Sequence, residues 1–218
     1  MENNINENIN YDKYNILYES LDNITLNRAL IILDWDDTIL PTYWINKIEN
    51  DEKCININDY DNKIIDLINQ IESLGEIIII TNSSSVWINN TSKKYLPKTH
   101  NKFKNMNVIS ARDNYQTIYP NNVMEWKNNT FKDYLSDNNN NYSQIISIGD
   151  GIFEKYALFN LKEDKNLLLK NIKLIEKPSF LELSTEIDII QKDLMSIINS
   201  NVNIDLNISK NDIKNYYI

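Results

Sequence analysis

The chain has 218 residues, 42% hydrophobic and 24% charged, a balance that fits one folded domain with short extensions and excludes a fibrous or wholly disordered chain. Its formal net charge of -9 repels nucleic acid and anionic membrane on average, leaving nucleic acid only as a candidate substrate. A single cysteine, Cys54, and a single histidine, His100, exclude an internal disulfide framework, a multi-thiolate zinc site and His-pair metal chemistry. No apolar run approaches the ~20 residues of a membrane span, and the opening MENNINENIN has neither the basic nor the apolar region of a signal peptide. An intracellular, cytoplasmic protein with no membrane partner is expected.

Residues 1–28 are polar and Asn-rich, with one short helical pattern around 14–21, and read as an extension. The run ALIIL from Ala29 stops abruptly at Asp34, the pattern of a strand buried on both faces of a parallel sheet. Residues 60–74 place Ile64, Leu67, Ile68, Ile71 and Leu74 at helical spacing, with Gly75 at the position of a C-terminal cap. EIIII over 76–80 predicts a second strand ending at Thr81 and Asn82, and NVIS over 107–110 a short third. A helix over MEWKNNTFKDYL follows, then a polar loop at 138–141 and a fourth strand, QIISI, ending at Gly149-Asp150. A fifth strand is expected at 172–175 and a long amphipathic helix over roughly 180–198. The alternation predicts an α/β fold, three-layered and Rossmann-like, with a mostly parallel sheet of about five strands. The expected domain is 29–199, and the tail 200–218 shows no pattern.

Ligands of open parallel sheets bind beyond the carboxyl ends of the strands. There the sequence places Asp34-Trp35-Asp36-Asp37-Thr38, Thr81-Asn82, and Gly149-Asp150-Gly151 with Glu154 one turn on, while Lys127 opens a helix nearby. Carboxylates so clustered need a cation, and hard oxygen donors favour magnesium. Only three glycines occur, Gly75, Gly149 and Gly151, so each is expected where the backbone requires one.

The set Asp34-x-Asp36-x-Thr38, Thr81, Lys127 and Gly149-Asp150 with Glu154, in that order over residues 29 to about 180, resembles the four motifs of the haloacid dehalogenase (HAD) superfamily, specifically its aspartate-nucleophile phosphatases. The wording DWDDTILPT, TNSSSVW, WKNNTF and SIGDGIFEKYA is similar to a little-characterised protist, viral and plant group within it. The resemblance implies that Asp34 is the nucleophile, that Asp36 protonates the leaving group and then activates water, and that Lys127 neutralises charge on the transferring phosphoryl group. It further implies phosphate binding by Thr81 and Asn82, Mg2+ held by Asp34, the Asp36 carbonyl and Asp150, and supporting roles for Glu154 and Thr38. A DxD pair alone also suits a nucleotide-sugar transferase, and a scaffold could keep the fold without turnover; the complete set favours a phosphomonoester hydrolase. Lys132 is the rival to Lys127.

Too few residues follow Leu40, or lie between Ala111 and Met124, to hold an inserted domain with its own core. A site without a large cap is expected, open to an accessible phosphate, including one on a macromolecule. Trp44 and Trp126 read as core, Trp35 and Trp87 equally as core or site wall, and His100 and Cys54 as non-catalytic. From 77 to 112 there is no acidic residue, while Lys93, Lys94, Lys98, Lys102, Lys104 and Arg112 are basic. This stretch is expected to pass along the rim of the phosphoryl site, with a solvated basic face as the alternative. Oligomeric state and substrate identity have no signal here.

Overall fold

A computed structural model describes residues 28–48, 57–137, 142–161 and 167–216. The expected helix around 14–21, Cys54 and the loop 138–141 lie outside them. Six strands, β1 (Ala29–Leu33), β2 (Glu76–Thr81), β3 (Asn107–Ser110), β4 (Gln144–Gly149), β5 (Leu168–Lys173) and β6 (Ile204–Asn207), form one sheet in the order β3-β2-β1-β4-β5-β6. Every adjacent pair is parallel, compatible with a Rossmann-like arrangement. The helices are α1 (Thr42–Ile48), α2 (Ile57–Leu74), α3 (Ser85–Tyr95), α4 (Pro97–Lys102), α5 (Ala111–Tyr115), α6 (Val123–Asp137), α7 (Ile152–Phe159), α8 (Phe180–Asn199) and α9 (Lys210–Asn215).

All five residues of β1 are buried, because the pleat sends alternate side chains into two separate cores. Ala29, Ile31 and Leu33 pack with Ile64, Leu67, Ile68 and Ile71 of α2 and with Leu183, Ile187, Ile190 and Leu194 of α8. Leu30 and Ile32 face Trp126, Phe131 and Tyr134 of α6 and Ala157 and Leu158 of α7. Helices thus cover both faces, giving the expected three layers. Gly75 ends α2 without the left-handed conformation of a capping glycine. Its requirement is space, since a Cβ there would stand 2.6 Å from the Ala29 carbonyl oxygen.

The fifth strand corrects the sequence pattern in position. It runs over Leu168–Lys173 rather than 172–175, because Lys170 and Asn171 interrupt the apolar run yet are buried with partners. Lys170 donates to Gln144 Oε1 at 2.6 Å and to the carbonyls of Ile197 (2.6 Å), Ile198 (3.1 Å) and Ser200 (2.6 Å). The ammonium satisfies the last carbonyls of α8 at the negative end of its dipole. Asn171 donates to Asp205 at 3.0 Å, tying β5 to β6, the sixth strand that the unpatterned tail contributes. β6 is short, largely exposed and at the sheet edge, so no core face is written into it.

Asp61 is buried on α2 and accepts from the Lys98 and Thr99 amides (2.8 and 3.0 Å) and the Thr99 hydroxyl (2.7 Å), which fixes the start of α4. Glu186 on α8 is also fully buried. Its Oε1 accepts from the Ile175 amide at 2.7 Å, and Oε2 has no partner among the described residues. Burial, reinforced by Glu182 and Asp150 against the Ile175 hydrogen bond and Lys173, pushes its carboxyl up to about 8. The folded state therefore binds the proton more tightly than the unfolded chain, so stability is full below the ordinary carboxyl range near 4.5 and falls as pH rises toward 8. We expect a loss of the order of 3 kcal/mol between pH 4.5 and about 7.5 from this group. Urea unfolding of Glu186→Gln should lose this share of the decline while the shares of the other raised carboxyls, Asp37 and Asp150, remain; the parent's full decline persisting in the variant would refute the assignment.

Candidate active site

β1 lies at the centre of the sheet, with β2 on one side and β4 on the other. At such a reversal of strand order the following loops part and leave a crevice. A cavity of about 490 Å³ occupies it, lined by Asp34, Asp36 and Asp37 after β1, Thr81 to Ser83 at the end of β2, Val123 and Lys127 of α6, Asp150 to Glu154 after β4, and Glu176 and Lys177 after β5. The four expected segments of the sequence meet here, joined by a fifth after β5. Thr38 is buried, its hydroxyl without a partner among the described residues, and does not line the cavity.

Lys127 is 1% exposed. Its ammonium donates to Asp34 Oδ1 at 2.7 Å and to Glu154 Oε1. A buried ammonium is costly unless paired, and two carboxylates compensate it here. Burial raises the Asp34 carboxyl, and the charge and hydrogen bond of Lys127 oppose that rise. Lys132 is exposed on the same helix, so Lys127 is the lysine that stands beside Asp34. Glu154 lies against two glycines: a Cβ at Gly149 would stand 2.5 Å from its Cγ, and one at Gly151 2.7 Å from its Oε2. The scarcity of glycine thus does mark the site, through close packing rather than a special φ.

Asp36 is gripped by three side chains. Thr42 Oγ1 and Trp87 Nε1 donate to its Oδ1 at 2.6 and 2.9 Å, and the Ser83 hydroxyl donates to Oδ2. Indole N–H can only donate, so the carboxyl is oriented by donors on both oxygens. Asp37 takes a left-handed φ of 52°, and its carboxylate accepts from the Tyr43 amide at 2.7 Å. Desolvation, aided by the charges of Asp36 and Asp34, outweighs that bond and pushes it up to about 6. Asp150 is pushed up to about 7 by burial and then by the charges of Asp34 and Asp37. Thr81 accepts from the Ser83 amide at 3.1 Å, and Asn82 Oδ1 has no partner among the described residues.

Of the four tryptophans, only Trp87 touches a site carboxylate. Trp35 is fully buried, edge-on to Phe103 at 5.3 Å and bonded to Thr91 at 3.3 Å. Trp126 is core, donating to the Tyr119 carbonyl at 2.8 Å, and Trp44 packs on Phe180 at 4.8 Å. His100 pairs with the Ser92 hydroxyl at 2.9 Å, away from the cavity.

The expected basic rim is corrected. None of Lys93, Lys94, Lys98, Lys102, Lys104 or Arg112 lines the cavity. The helix after a parallel strand runs back toward the strand's start, so α3 carries its basic last turn away from the site. Lys98 reaches Asn62 at 2.5 Å and Lys102 reaches Glu72 at 2.7 Å, both on α2. The cations that line the cavity are Lys127 and Lys177, and Lys177 had no motif to announce it. Ser83 and Thr42 were also missed as partners of Asp36, although both adjoin the motifs.

The segments that could carry a cap hold, among the described residues, only α1 between β1 and α2 and the short α5 between β3 and α6, and no described helix is long and apolar enough to cross a membrane. Among those residues no three His, Cys, Asp or Glu side chains are grouped so as to hold a metal ion by themselves. Comparison with protein-family models, curated proteins and solved structures returned no match.

Proposed function

We propose that this chain is a magnesium-dependent phosphomonoester hydrolase of the HAD type, working through an aspartyl-phosphate. The observation that carries the reading is the pairing of buried Asp34 with Lys127, two residues from Asp36, whose carboxyl is fixed in orientation by its partners. One carboxylate is held in place by a cation, and its neighbour is held for proton transfer. That division of labour suits nucleophilic displacement followed by hydrolysis.

A divalent cation fits the residues present. Six acidic residues line the cavity against two lysines, burial and acidic neighbours push Asp150 up to about 7, and Glu154 Oε2 is buried without a donor among the described residues. Magnesium is commonly bound by only one or two carboxylates, with water and substrate oxygens completing the shell, so no cluster of three acidic side chains is required. Asp34, Asp150 and the Asp36 carbonyl would hold it. When bound, it would polarise the phosphoryl oxygens and lower the repulsion between the substrate dianion and the carboxylates.

In the first step an Asp34 oxygen forms a bond to phosphorus while the bond to the leaving oxygen breaks, and the Asp36 carboxyl supplies the proton that oxygen needs. In the second, Asp36 takes a proton from water as the water oxygen attacks phosphorus, freeing Asp34 and releasing phosphate. Lys127 offsets charge on the equatorial oxygens, and the Thr81 hydroxyl and Asn82 contribute hydrogen bonds. A broad panel of phosphoesters, assayed with Mg2+ and with EDTA, tests the reading. Hydrolysis that requires Mg2+ is expected; undiminished hydrolysis in EDTA, or none across the panel, contradicts it.

A further inference from the structure

Resting on that reading, we propose that Lys177 forms a second anion subsite in the cavity, so that the substrate class is a phosphoester carrying another anionic group, carboxylate or phosphoryl, close to the ester. Lys177 lines the same cavity as Asp34. The neighbouring ammoniums are already committed: Lys127 to Asp34 and Glu154, and Lys173 to Glu176 at 2.9 Å and the Asp150 carbonyl at 2.8 Å. Lys177 is exposed and makes no hydrogen bond or ion pair among the described residues.

Its backbone is a second, independent observation. Lys177 has φ 55°, a left-handed conformation that a Cβ disfavours and that glycine or asparagine would adopt at lower cost. Proline follows it, which restricts the residue further. The turn is held from both sides. Upstream, the Leu174 amide bonds the Gly149 carbonyl at 2.8 Å and the Ile175 amide bonds Glu186 at 2.7 Å. Downstream, Pro178 is buried, Ser179 and Glu182 form a reciprocal cap on α8, and Phe180 enters the core. A strained residue in a pinned turn places its cation at the mouth of an acidic cavity, where strain of this kind accompanies a binding role.

The transferring phosphoryl group has Lys127, Thr81 and the proposed cation as partners. Lys177 is left for charge elsewhere on the substrate, and it takes the part that the basic stretch 77–112 does not play.

Matched, non-hydrolysable probes test this without turnover. Calorimetry in Mg2+ would compare methylphosphonate with phosphonoacetate, which adds a carboxylate, and with methylenediphosphonate, which adds a second phosphoryl-type group. At least one of the latter two is expected to bind about five- to tenfold more tightly than methylphosphonate, a difference within reach of one partly desolvated charge pair, and the better of the two names the second group. Lys177→Gln should bring the ratio near one while changing methylphosphonate affinity less than about twofold. Lys177→Gly, which suits φ 55°, should do the same with a melting temperature at or near the parent's, removing misfolding as the cause. Parent ratios near one, or ratios unchanged in both variants, overturn the subsite. If the phosphoester panel shows no turnover but the ratios behave as stated, the subsite stands and the hydrolase reading fails. Turnover with no discrimination is the reverse case.

Discussion

Asp34→Asn is expected to lower phosphoester turnover by a factor of the order of 10⁴ or more, because removal of the attacking group leaves only positioning and charge stabilisation. The fold should survive, since an amide is nearly isosteric and Lys127 keeps its contact with Glu154. Asp36→Asn should be less severe, of the order of 10² to 10⁴, the usual contribution of a positioned acid–base group. The asymmetry has a structural origin. The amide that replaces the Asp36 carboxyl could still accept from Thr42 and Trp87 through its carbonyl oxygen, but it has no acidic proton to give the leaving oxygen. Turnover by purified Asp34→Asn protein within tenfold of the parent would eliminate the mechanism. Circular dichroism and a melting temperature on the same samples separate lost chemistry from lost structure.

Lys127→Met should damage both stability and activity. Its ammonium is the common partner of Asp34 and Glu154, both nearly buried, and removing one member of such a group typically costs about 3–5 kcal/mol because the others remain uncompensated. For a domain of this size that corresponds to a fall in melting temperature of roughly 10 °C or more. Pairing it with Glu154→Gln removes one of the stranded charges and should recover part of the stability without restoring turnover. If Lys127→Met melts like the parent, the buried triad does not carry the stability assigned to it; if it turns over like the parent, Lys127 has no catalytic role.

The fold was readable where burial is written as uninterrupted apolar residues. ALIIL and EIIII could only be strands covered on both sides, and α2 and α8 show their inward faces at helical spacing. It was unreadable where a polar residue is buried for a private reason. Lys170 breaks the pattern of β5 because it satisfies the carbonyls ending α8, a partnership between residues far apart in sequence. β6 packs too little side chain inward to leave a trace. At the site, the carboxylates, Thr81 and Lys127 were legible because each closes an apolar strand or opens a helix beside one. The grip on Asp36 was not, since Thr42, Ser83 and Trp87 converge only after α1 and α3 fold back over β1 and β2. The basic stretch misled for a geometric reason: proximity in sequence to Thr81 lasts one helical turn, after which α3 descends. Lys177 reaches the cavity by way of a strand misplaced by several residues and a left-handed turn that no local motif encodes.

The central claim is a covalent phosphoryl group on Asp34, and trapping it is the direct measurement. The parent protein would be mixed in Mg2+ with a phosphoester it hydrolyses, quenched within a turnover, reduced with borohydride, which converts an aspartyl-phosphate to homoserine, and digested for mass spectrometry. Conversion at position 34 that is lost in EDTA and absent from protein never exposed to the ester is the expected result. Hydrolysis proceeding under the same conditions with Asp34 unmodified, or with the modification on another carboxylate, would contradict it.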